Sequence, residues 1–282
     1  MKNFFHILSI CAIALFCGCE TIDEADRFVG PVEFTPKKNV LIEDFTGQRC
    51  LNCPIASEAV KSLQDLYGKE HVIAVAIHGG SMSMPSSNGV GLATPTGEAY
   101  NKHWGIDSWP KGLVDRNAAN PAGGATNYTS WAAQVIQRLV EEPKVDIAVS
   151  DATYDKDSLK LNIAVDLAAK EKINGHVQVW IIENNIVGYQ VMPDGSNNMA
   201  YTHNHVFRAA VNGEWGEPLT LGKNEETSVN YTVDLSGEKW VPENLAVVAF
   251  VYNCFLCGTY NQRKIIFSYY LCIFLCFNII IE

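Results

Sequence analysis

Cys50-Leu51-Asn52-Cys53 sets two thiols three residues apart. That spacing can close a small disulfide ring and exchange it with another protein. The setting says more than the motif alone. Asn39–Phe45 before it is rich in strand formers, while Ile55, Ala59, Val60, Leu63, Leu66 and Tyr67 after it recur at helical spacing. A cysteine at a helix start meets unpaired amides and the positive end of the helix dipole, which favour its thiolate. Arg49 stands beside Cys50 and pushes the same way. In such chemistry Cys50, nearer the helix end and more exposed, is the attacking thiolate, and Cys53 resolves the mixed disulfide. Glu43 and Asp44 on the preceding strand are the candidate proton acceptors. Acids at strand ends are usually solvated, so no buried acid stands out.

A second segment, His103-Trp-Gly-Ile-Asp-Ser-Trp-Pro-Lys-Gly-Leu-Val-Asp-Arg116, supports the first. Its Trp109-Pro110 precedes a short apolar strand and resembles the thioredoxin-fold pattern Gly-Ile-x-Ser-x-Pro. In that family the proline bond is cis and packs beside the CxxC. X-Pro is the one bond where cis is cheap enough to keep. The resemblance implies that Pro110 is cis and shapes a groove next to Cys50.

The elements that must position these residues can be read in order. Val72–His78 is a buried strand that stops at Gly79-Gly80. Ser81–Pro95 is a long loop, Thr96–Trp104 a short helix, and Tyr128–Glu141 a helix stopped by Pro143. This β-α-β-α-β-loop-α order predicts an α/β thioredoxin-like domain over residues 39–143. A full thioredoxin sheet has one more strand after the proline strand, and Asn117–Asn127 does not supply it clearly. His78 and His103 fall where they could flank the CxxC, though packing in the core or at its rim is the plainer reading.

Residues 144–253 read as a second, all-β domain. Strand-like runs cover Val145–Ser150, Leu159–Leu167, His176–Glu183, Ile186–Gln190, Val206–Val211, Thr227–Val233 and Leu245–Tyr252, separated by turn residues. This spacing predicts an immunoglobulin-like sandwich without the Cys-Trp-Cys mark of a true immunoglobulin domain. His203-x-His205 would point two imidazoles to one strand face, a weak metal pair lacking a third ligand.

The ends of the chain differ from its body. Lys2 and the thirteen apolar residues Phe4–Phe16 read as a signal peptide over residues 1–18, too short to span a bilayer as a mature helix. Gly18-Cys19 looks like a lipobox, with Cys19 lipidated. Residues 19–38 then form an acidic, flexible tether. Residues 254–282 break with what precedes them. Cys254-x-x-Cys257 is followed by the apolar run Ile265–Ile281, which contains Cys272 and Cys276. Three readings compete: a short membrane anchor, cysteine metal chemistry without a second ligand pair, and a frameshifted gene, which is preferred.

Composition narrows the functions. A net charge of −10 argues against a nucleic-acid partner. No phosphate loop, Ser-His-Asp order or cofactor motif stands out. Nine cysteines suggest a disulfide framework. Subtracting the signal, the lipid site and the tail leaves Cys50 and Cys53, whose likeliest partners are each other.

Thr46–Pro54, Gly105–Arg116 and Tyr201-Thr-His-Asn-His-Val-Phe-Arg208 together resemble the twenty-eight-kilodalton outer membrane lipoprotein family of the Bacteroidetes. The likeness covers roughly residues 1–253. It implies a lipid anchor in the outer membrane, a thioredoxin-like domain and a β-sandwich. The tail after Asn253 departs from the family, where a last strand is expected. Two functions remain. One is a surface-exposed or periplasm-facing binding or adhesion module, with a protein or host-surface ligand. The other is a thiol–disulfide oxidoreductase using Cys50 and Cys53. Binding is placed ahead of exchange.

Overall fold

The computed structural model describes residues 34–84, 91–116, 124–253, 276–278 and 280–281. The thioredoxin-like half is built from β1 (Val40–Thr46), α1 (Cys53–Tyr67), β2 (Val72–His78), α2 (Pro95–His103), β3 (Lys111–Val114) and α3 (Trp131–Leu139). β1 pairs parallel with β2 and antiparallel with β3. α1 begins at the second cysteine, with Pro54 in its first turn, where a missing N–H costs nothing. It buries Cys53, Ala56, Val60 and Leu63 and ends at Gly68 with φ +93°. With α3 it covers one face of the strands, packing on Val40, Ile42, Val72, Ala74 and Val114. The Thr94 side chain caps α2 by accepting from the Gly97 amide at 3.0 Å. α2 places Tyr100 among Leu41, Phe45, Ile73, Val75 and Ile77, the alternate residues of β1 and β2.

The remaining strands are β4 (Val145–Asp155), β5 (Lys160–Ala169), β6 (Ile173–Glu183), β7 (Ile186–Val191), β8 (Asn197–His203), β9 (Val206–Ala210), β10 (Glu217–Leu221), β11 (Glu226–Asp234), β12 (Leu245–Tyr252), β13 (Cys276–Asn278) and β14 (Ile280–Ile281). Each of the seven expected runs is a strand; β8 and β10 were not anticipated. β11, β5, β4 and β14 form one sheet. Its inward residues Ile147, Val149, Ile163 and Val165 share a core with Val177, Val179, Ile181, Val247 and Ala249 of the larger sheet. This is face-to-face sandwich packing.

The expectation of two separate domains meeting at residue 143 needs correction. The larger sheet runs in the order β13-β12-β6-β9-β2-β1-β3, with β10 on β6. It therefore crosses from one half into the other. The junction is β9 beside β2, where the Ala76 amide donates to the His205 carbonyl at 2.8 Å. Pro36–Glu282 is one compact unit. The physical reason is a shared apolar face. Trp180, Ile182, Phe207, Val248 and Phe250 of the β half join Tyr100 and Phe45 in a single cluster. Splitting the halves would expose that cluster to water.

Among the described residues, the strand expected after β3 is represented by a bridge between Gly112 and Thr126. Beyond β12, β13 pairs antiparallel with it, Ala246 facing Asn278, and β14 runs parallel to β4. A short strand therefore occupies the place where the tail was expected to leave a gap. Cys254, Cys257 and Cys272 lie outside the described residues, as do the signal sequence, Cys19 and most of the tether. No helix among the described residues is long and apolar enough to cross a membrane.

Candidate functional site

Cys50 and Cys53 are joined by a disulfide, with Cα atoms 5.4 Å apart. β1 delivers the loop Gly47–Cys50 to the start of α1. The Trp109–Pro110 bond is cis. Pro110 is buried and leads straight into β3, whose Lys111 faces Phe45. The CxxC and Pro110 therefore meet the sheet at the same end. Arg49 points into solvent, and its amide donates to the Met82 carbonyl at 2.8 Å.

The expectation of an exposed Cys50 does not hold. Cys50 is 4% exposed and Cys53 2%. The cause is a cover on each side of the loop. On one side, the Leu92 amide donates to Gln48 Oε1 at 3.0 Å, and Met82 lies so close to Gly47 that a Cβ there would sit 2.4 Å from the Met82 carbonyl oxygen. On the other side lies the β7–β8 hairpin, a two-stranded sheet of its own. Gln190 Nε2 donates to the Cys50 carbonyl at 3.0 Å and to the Gly47 carbonyl at 3.4 Å. The Val191 amide donates to the Gln48 carbonyl at 2.9 Å, and Gln48 Nε2 donates to the Tyr189 carbonyl at 3.3 Å. Spacing could not have flagged Gln190, because its partner is 140 residues away.

The two strand acids are also buried, contrary to expectation. All seven residues of β1 are inside, because the strand is covered on both faces. Alternation then sends the acids to opposite sides. Glu43 faces the Tyr100 cluster and binds Arg116, with Nε to Oε1 at 2.6 Å and Nη2 to Oε2 at 3.0 Å. The guanidinium lies 4.6 Å from the ring centre of Tyr252 and 5.0 Å from that of Phe250. Asp44 faces the other way. Its Oδ1 has no partner among the described residues, and burial raises its carboxyl to about 7.

Asp44 opens onto a cavity of about 730 Å³ that is also lined by Cys53, Ser57, His78, Tyr201, His203 and His205. α1, β1, β2 and the β8–β9 turn wall it. His78 and His203 meet edge to face, with ring centres 5.6 Å apart. Burial holds the His78 imidazole well below its usual range and pushes those of His203 and His205 down to about 4, so all three are neutral near pH 7. His203 Nε2 pairs with the Tyr189 carbonyl at 3.2 Å. His203 and His205 thus share a cavity, but no metal-holding group of three His, Cys, Asp or Glu side chains occurs among the described residues. His103 lies elsewhere, against Trp104 and Trp215.

The sequence profile of the family described as "Outer membrane protein Omp28" matches residues 97–256. No curated protein matches the chain. Among solved structures, HBP35 of Porphyromonas gingivalis is similar with a TM-score of 0.63 and 17% identity, over 87% of this chain and 76% of that one. That likeness shows a common fold, a thioredoxin-like part joined to a β part. Spo0M, a sporulation control protein from Bacillus subtilis, matches at a TM-score of 0.27 and 12% identity over 49% of each chain, too low to carry an argument.

Proposed function

The chain belongs to the Omp28 family of outer membrane proteins, and on that premise we propose that it is an envelope binding module in which Cys50–Cys53 is a structural staple rather than a catalytic pair. The outer membrane is its location. In this reading Cys19 carries the lipid that tethers it there, the spacer is residues 19–35 rather than the expected 19–38, because Lys38 is buried against Asp115, and the compact unit from Pro36 onward recognises a ligand or a surface partner.

The observation that carries the reading is the closure of the CxxC loop. A catalytic disulfide must let an incoming thiolate approach one of its sulfurs. Here both cysteines are buried, and the carbonyls of Gly47, Gln48 and Cys50 are all taken up by the β7–β8 hairpin. The staple ties the loop to α1, and the hairpin docked on that loop also forms part of the wall of the 730 Å³ cavity. That volume lies in the range of small-molecule sites.

One observation favours thiol exchange as a second reading. Asp44 is buried, titrates near neutrality, and lines the same cavity as Cys53, where it could accept a proton from that thiol. Capture from envelope extracts separates the two. Cys53→Ala leaves Cys50 free to hold a partner as a mixed disulfide if exchange occurs. The staple reading expects no partner that dithiothreitol releases, and a ladder of such partners would overturn it.

A further inference from the structure

The inner wall of the cavity is built from two adjacent parallel strands in register, Asp44 beside Ala76 and Thr46 beside His78. Residues two apart share a face, so Asp44 and His78 point into the same space, and both line the cavity. Each ends in a buried polar atom with no partner among the described residues, Asp44 Oδ1 and His78 Nδ1. A buried polar group without a partner is expensive, and a buried carboxylate more so. Two such atoms on one wall of an organised cavity are a recognition feature, since a ligand can satisfy both at once.

Their chemistry specifies the ligand. In its ionised form, which a cation bound beside it favours, the Asp44 carboxylate can only accept, and a neutral imidazole accepts at the nitrogen that lacks a proton. Burial keeps His78 neutral, so it adds no positive charge to the wall. Of the cations near the site, Lys69 on the cavity lining is exposed to solvent, and two others are already engaged. Lys61 is paired with Asp65 at 2.6 Å and Arg208 with Glu183 at 2.7 Å. An anion would meet Asp44 with no free buried cation to offset it. A ligand bearing several N–H donors and a positive charge meets two acceptors and a carboxylate that lacks a counter-charge.

We propose that this cavity binds the ammonium group of a small organic amine, with Asp44 as its anchoring carboxylate and His78 as a second acceptor. The proposal rests on the binding reading above and names the ligand class of its site. It does not depend on the redox state of Cys50–Cys53. A reactive bridge would overturn the staple and leave the amine site standing, and a failure to bind amines would do the reverse.

The test uses three probes of matched shape, n-butylamine, n-butanol and butyrate, titrated into the full chain with its bridge intact. Binding is followed by ligand-observed NMR and by the imidazole resonances of His78 and His203. The expected order is butylamine tighter than butanol by about tenfold or more, the size of one charge-assisted hydrogen bond, with butyrate not bound. Asp44→Asn, which keeps the side-chain shape, should bring butylamine to the level of butanol. The proposal is overturned if butyrate binds as well as butylamine, if none of the three binds, or if Asp44→Asn leaves butylamine affinity unchanged. The wild-type series decides by itself should that variant fold poorly.

Discussion

Gln190 in β7 donates a hydrogen bond from its Nε2 to the carbonyl oxygen of Cys50, 3.0 Å away. Through that bond the β half of the molecule closes over the thiol chemistry of the thioredoxin-like half. The same amide reaches the Gly47 carbonyl, so one side chain grips the loop at both ends. The bond also explains why the first cysteine is not exposed, as a free-standing strand–CxxC–helix unit would leave it.

Removing this grip should loosen the loop without unfolding the molecule. Gln190→Ala takes the side-chain donor from the buried Cys50 carbonyl and leaves the Gly47 carbonyl with the Cys50 amide, which costs about 1–3 kcal/mol. Urea unfolding should register that loss. The bridge should also become faster to reduce in the native state. An unchanged reduction rate would mean that the hairpin does not guard the bridge.

The buried ion pair of Glu43 and Arg116 predicts a non-additive result. Both side chains are almost fully buried, and the guanidinium is boxed in by aromatic rings. Arg116→Met alone strands a buried carboxylate and should cost about 3–5 kcal/mol. Combining it with Glu43→Leu should recover much of that loss, because neither charge is then left unpaired. Thermal or urea unfolding of the two single variants and the double variant checks this; additive losses would contradict it.

The cavity groups fix the sign of the pH dependence. The folded value of His203, about 4, lies below the usual 6.5. Between those values the unfolded chain binds more protons, so this contribution is complete above about pH 6.5 and is lost as pH falls towards 4. Asp44 acts oppositely, since its folded value near 7 lies above the usual 3.8 and its burial costs stability as pH rises between them. His203→Gln should therefore flatten the acid-side loss, by at most about 3 kcal/mol for a shift of that size. Asp44→Asn should steepen it. Urea titrations at several pH values across the acid range read both slopes.

Much of this architecture was legible in the sequence, and the parts that were not share a cause. Short-range pattern located the strand before Cys50, the helix after Cys53, the proline strand and seven strands of the β half. Strands β8 and β10 escaped because their sequences, Asn197–His203 and Glu217–Leu221, are polar and interrupted, and they are held by pairing with β7 and β6 rather than by an apolar stripe. The burial of Glu43 and Asp44 was missed because a strand's second cover comes from elements far away in the chain. An acid inside a run as apolar as Val40–Phe45 was the available signal. The joining of the halves at Ala76 and His205 had no local signal at all.

Membrane attachment gives a test independent of the fold. With Cys19 as the lipid site, Cys19→Ala should leave the precursor unprocessed or release the protein from the outer membrane fraction, and the wild type should label with a fatty-acid probe. Equal membrane association of both, with no label on the wild type, would shift the anchor to the apolar tail after Asn253.

The most direct test of the staple is the reduction potential of Cys50–Cys53, obtained by equilibrating the native protein in thiol redox buffers and trapping free thiols. A buried structural bridge should lie below about −300 mV, with Cys50 and Cys53 alkylating slowly and alike once reduced. A value of roughly −270 mV or higher, in the range of thiol oxidoreductases, with Cys50 alkylating much faster than Cys53, would contradict it.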